Sequence, residues 1–225
     1  MRKTLDRNLR ELRDEILLLG NLVEQTTLKI IDALKERDIL TAKKIFLADD
    51  EINSRRYAIE NAIVILMATQ SPYAHDLRLL VGMLEINTEL ERMGDYSKGI
   101  AKIILQLDHQ EVWIPIQQLE KMAELGVGML HRALGAFVSE DSNRASAIPL
   151  DDDQVDMIYE NIYRDLIQRM VQQPEKVDLL NYSLWIAHNL ERFADRVTNI
   201  CERTVFIATG ETIETASDDD EALLP

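Results

Sequence analysis

The chain has 225 residues, 40 of them acidic and 25 basic, for a formal net charge of −15. That excess repels a phosphate backbone and an anionic leaflet, so no nucleic-acid binding is expected, and an aromatic content of 5% offers no obvious base-stacking platform. The longest apolar run, residues 62–68, is too short to span a bilayer, so no direct membrane insertion is expected. One cysteine, Cys201, and no leader pattern point to a reducing, cytoplasmic compartment.

Apolar residues recur every three or four positions from Leu5 almost to Ile207, and no stretch alternates with period two. Glu, Lys, Arg, Leu and Ala, all good helix formers, fill the rest. Breaks at Glu36-Arg37-Asp38, Ser71-Pro72, 109–115, 139–142 and Gln173-Pro174 predict six helices, over 4–36, 39–69, 73–108, 116–139, 142–172 and 175–208. Short links between long helices imply antiparallel bundles. After Gly210 the chain carries six acids and no base, and residues 211–225 are expected to be an acidic disordered tail.

The six helices form two sets of three. With a shift of 103, Asp38 matches Asp141, Ala42 matches Ala145, Asp49 matches Asp152 and Ile52 matches Val155. Farther on the shift is 100, and Leu90-Glu91-Arg92-Met93-Gly94-Asp95 matches Leu190-Glu191-Arg192-Phe193-Ala194-Asp195. A near-constant register over some ninety residues is the mark of duplication. The predicted fold is all-α, six helices as two pseudo-symmetric tandem three-helix bundles, the first over 1–112 and the second over 113–210. Pro149 falls where the first half has Phe46 and is expected to kink or restart the fifth helix.

Phosphate-binding glycine loops are absent, and none of His75, His109, His131 and His188 lies three residues after a Glu, as a ferritin-like di-iron bundle requires. Cys201 has the setting of a packed helix position. What remains is carboxylate. Glu91 and Asp95 lie one turn apart on one helix face, as do Glu191 and Asp195, and like charges at that spacing destabilise a helix by a few tenths of a kcal/mol. Asp49 and Asp152, followed one turn later by Asn53 and Asp156, form a second duplicated pattern on helices two and five. Such oxygen-rich sets suit hard cations, although a solvated acidic face has the same pattern. His188, three residues before Glu191, is an accessory ligand, a neighbouring donor or a plain rim histidine. Arg92 and Arg192 lie roughly a quarter turn from the carboxylates, placed to pair with neighbouring acids or with a partner protein.

The twin segments Leu90–Asp95 and Leu190–Asp195, the approach Ser71-Pro72-Tyr73-Ala74-His75-Asp76-Leu77-Arg78 and the closing Asn199-Ile200-Cys201-Glu202-Arg203 resemble the PhoU family of bacterial phosphate-uptake regulators. The resemblance covers about residues 5–211. It implies metal ions (iron, zinc, manganese or magnesium) on the face bearing Glu91, Asp95, Glu191 and Asp195, with Asp49 and Asp152 from helices two and five. It also implies a homodimeric cytoplasmic adaptor, not an enzyme, that damps the phosphate-starvation response. Its partners would be the ATPase subunit of the phosphate ABC transporter and the phosphate-sensing histidine kinase. The rival expectations are a carboxylate-bridged metalloenzyme and a metal-free helical scaffold. His188 departs from the family pattern, where Arg is frequent, and Ser71 stands where Gln is usual.

Overall fold

The computed structural model describes residues 2–107 and 110–212. Most of the expected acidic tail, from residue 213 onward, lies outside the described residues, as does His109. Three long helices open the chain: α1 (Arg2–Glu36), α2 (Ile39–Gln70) and α3 (Ala74–Leu107). The second half repeats them as α4 (Ile116–Ser139), a fifth helix divided into α5 (Ser142–Ala147) and α6 (Asp152–Gln172), and α7 (Val177–Thr209). Among the described residues there is no strand.

The heptad-like spacing of apolar residues dictates the packing. On α1 Leu5, Leu9, Leu12, Ile16, Leu19 and Val23 form one stripe, and every one is buried. Each such side chain contributes about 1.5–3 kcal/mol when removed from water. Each bundle packs its three helices on one another, and the halves join where α1 meets α4 and, more extensively, where α3 meets α7. That seam is tight, since a Cβ on Gly82 of α3 would lie 2.5 Å from Cδ1 of Ile207 on α7. The seam also carries charge: Glu89 of α3 accepts a hydrogen bond from Asn199 Nδ2 at 3.3 Å and lies 3.5 Å from Arg196 Nη1, both on α7.

The corners repeat as faithfully as the helices. Arg37 and Glu140 both adopt left-handed backbone, at φ 56° and 52°. Asp38 and Asp141 follow them, and each bonds a backbone N–H three residues on, of Thr41 and Arg144, both at 3.0 Å. Pro149 does restart the fifth helix. It has no N–H for Ala145 and its ring collides with that carbonyl, so the chain passes through a single 3-10 turn (Pro149–Asp151) before α6 begins at Asp152. A second such turn (Pro174–Lys176) precedes α7. The link between the halves is pinned by Trp113, whose carbonyl accepts from Ser183 Oγ at 2.8 Å and whose ring lies 3.8 Å from the Arg169 guanidinium.

Candidate metal centre

Each half brings the acids of its second helix element against those of its third. In the second half one carboxylate oxygen from each of Asp152, Asp156 and Asp195 lies within 4.8 Å of the other two, and among the described residues this is the one set of three His, Cys or acidic side chains that so converges. Asp152 and Asp156 stand one turn apart at the start of α6, where the helix dipole favours negative charge. Asp195 faces them from α7. Glu191, one turn earlier, is largely enclosed, and its Oε2 accepts no hydrogen bond from the described residues, with Nδ1 of His188 3.5 Å away. Burial, and then the charges of Asp195, Asp156 and Asp152 against the opposing Arg192, push the Glu191 carboxyl up to about 8.

This donor set fits a hard cation: oxygen ligands from two helices, crowded against one another, with an enclosed carboxylate oxygen beside them. Asp152, Asp156, Asp195 and Glu191 would hold the ion, which would supply the positive charge their proximity calls for. Arg192 Nη1 sits 3.0 Å from Oδ2 of Asp195, so this arginine pairs with a neighbouring acid. His188 lies at the rim, its ring 5.6 Å from that of Trp185 and 6.2 Å from that of Tyr159.

The first half is built differently. Asp49 of α2 is buried, Glu91 is half-buried and Asp95 is exposed. They stand close enough that, after desolvation by burial in each case, Asp95 and Asp49 raise the pKa of Glu91 and Asp49 raises that of Asp95. Asp49, however, already has donors: Lys98 Nζ at 2.6 Å and Asn53 Nδ2 at 2.8 Å, both on Oδ2. Its helix comes near because position 94 is glycine; a Cβ there would meet Cδ1 of Ile52 at 2.9 Å. Arg92 pairs with Glu89 at 3.0 Å instead of with the signature acids.

Of the six residues singled out by the sequence, the structure gathers Asp152, Asp195 and Glu191 into one centre and places Asp49, Glu91 and Asp95 as neighbours without a common focus. Spacing had set Asp156 beside Asp152 but not among the ligands. Lys98 was missed altogether; its signal is its place one turn after Asp95, where the second half has Thr198.

The PhoU domain matches twice, over residues 16–104 and 119–204, once per bundle. The chain belongs to the PhoU family. It is 37% identical over 214 residues to the phosphate-specific transport system accessory protein PhoU homolog of Streptococcus pneumoniae TIGR4, covering 95% of this chain and 99% of that one. To the accessory protein PhoU of Escherichia coli K12 it is 31% identical over 212 residues, 94% of this chain and 88% of that one. The crystal structure of the phosphate transport system regulatory protein PhoU from Streptococcus pneumoniae superposes with a TM-score of 0.87 at 36% identity, over 94% of this chain and all of that one. That of PhoU from Pseudomonas aeruginosa gives 0.86 at 28% identity, over 92% and 99%. The all-α duplicated fold expected from the sequence is thus that of PhoU proteins, and no enzyme family is indicated. Among the described residues no helix is long and apolar enough to cross a membrane.

Proposed function

We propose that this PhoU-family chain is a cytoplasmic, non-enzymatic, homodimeric regulator that damps phosphate uptake and the phosphate-starvation response. It would do so as a metal-binding adaptor between the ATPase subunit of the phosphate transporter and the phosphate-sensing histidine kinase. The observation that carries the reading is coverage: relatives named as phosphate-transport accessory proteins align over 95% of the chain, both bundles included. The metal part is supported by the convergence of Asp152, Asp156 and Asp195 beside the enclosed Glu191. Carboxylate oxygens hold such an ion in place and leave the helical faces around it to meet proteins.

Two experiments test this. Deleting the gene derepresses phosphate-scavenging genes in phosphate-replete cells; unchanged expression overturns the regulatory role. Metal analysis of natively purified protein finds bound ion that is lost on simultaneous alanine substitution of Glu91, Asp95, Glu191 and Asp195, with helicity retained. Equal metal content in that variant would remove the metal from the proposal and leave a metal-free scaffold.

A further inference from the structure

The two acidic centres occupy equivalent places in a duplicated fold, yet they are charged differently. In the first half the Lys98 ammonium, on α3, donates to Asp49 Oδ2 at 2.6 Å, and the Asp49 side chain is only 3% exposed. The ring of Phe46, one turn before Asp49 on α2, lies 5.7 Å from that ammonium. Asn53, one turn after Asp49, adds a neutral donor to the same oxygen. All three residues differ in the second half, where Pro149, Asp156 and Thr198 replace Phe46, Asn53 and Lys98. Thr198 turns its hydroxyl back on its own helix, donating to the Asp195 carbonyl at 2.7 Å. The first half therefore sets one ammonium, bonded to the buried Asp49, among three carboxylates, whereas the second sets four carboxylates around no lysine, its cation being the Arg192 guanidinium 3.0 Å from Asp195 Oδ2.

We infer that Lys98 is a built-in cation occupying the place in the first half that a metal ion takes in the second, so that this chain binds metal through α6 and α7 alone. The inference rests on the metal reading proposed above. An ammonium tethered to the neighbouring helix acts at a high effective concentration that no dissolved ion matches without excess. A divalent ion entering the first centre would have to displace it from a buried carboxylate and then sit beside its positive charge. Asp49 meanwhile has one oxygen taken by two donors, and Glu91 and Asp95 alone supply too few oxygens for a hard cation, which takes six or more. Lys98 thus decides which half answers to metal.

Manganese(II) titration of the chelator-stripped full chain, read by the loss of its free-ion paramagnetic resonance signal, tests this. Wild-type binding is expected to fall at least tenfold in D156N/D195N and to change less than twofold in D49N. The K98T variant, which copies the second half, is expected to gain a further manganese per chain that D49N then abolishes. K98M, which keeps the side-chain stem but not its charge, gains it too if K98T folds poorly by circular dichroism. Wild-type binding that D49N weakens as much as D156N/D195N does, or no gain in either folded Lys98 variant, overturns the inference while leaving the metal reading intact. A wild-type chain that takes up no manganese overturns the metal reading and this inference with it.

Discussion

Gly94 and Ile52 set how closely α2 approaches α3: a Cβ at position 94 would lie 2.9 Å from Cδ1 and 3.2 Å from Cγ2 of the isoleucine. In the second half the matching residues are Ala194 and Val155, both buried, so a methyl group lost from one helix is regained on the other.

A double-mutant cycle measures this complementarity. G94A alone is expected to cost about 1 kcal/mol, because overpacking of about 1–3 kcal/mol outweighs the gain of about 1 kcal/mol in helix propensity. I52V alone removes a buried methylene group at about 1 kcal/mol. Together they reproduce the second half's solution, so urea unfolding of the double variant should show a favourable coupling of about 1 kcal/mol. Strict additivity would mean the two residues do not sense each other.

Glu191, with its raised carboxyl pKa, contributes a loss of stability to the metal-free protein as pH rises. Its carboxyl ionises near 4.5 in the unfolded chain but only at about 8 when folded. Above pH 4.5 the unfolded state therefore holds fewer protons, and the folded state is progressively penalised until pH passes 8. The groups around it are Asp195, Arg192 and His188 on α7 and Asp152, Asp156 and Tyr159 on α6. E191Q lacks the ionisation, so its advantage over wild type should grow by on the order of 3 kcal/mol between pH 5 and 8.5. Parallel stability curves for the two proteins would refute the assignment.

Removing the cap from the second half's first corner should act locally. Asp141 bonds the N–H of Arg144 and opens the short α5. D141A is expected to cost about 1 kcal/mol in thermal unfolding, whereas D141N, which keeps a capping oxygen, should lie within a few tenths of wild type. Equal losses would point to charge rather than capping.

Cys201 is 1% exposed and burial pushes its thiol up to about 12, so it carries almost no thiolate at neutral pH. Ellman's reagent should find no reactive thiol in the folded chain and one after denaturation in guanidinium. Rapid reaction of the folded protein would contradict the packed position of this residue on α7.

Helices, corners and duplication were legible in the sequence because they depend on local signals. The 3.6-residue stripe on α1, the breaks at 36–38 and 139–142 and the proline at 149 each act within a turn or two of their own position. The acids were legible as faces of single helices. Which of them meet was not, because that depends on the rotation of one helix against another. Lys98 lies on the same rod as Asp95 but bonds Asp49 across to α2, and Arg192 turns to Asp195 where surface spacing allowed other partners. Asp156 stands one turn after Asp152, as periodicity places it, but its meeting with Asp195 depends on how α6 is rotated against α7.

The paired left-handed corners carry a lesson about descent. Arg37 and Glu140 have opposite charge, and neither is the glycine such backbone favours, yet they bend the chain through φ angles only a few degrees apart. Copying therefore preserved the route of the main chain more strictly than the chemistry hung upon it. A doubled molecule of this kind retains two equal frames while each is free to acquire its own occupation.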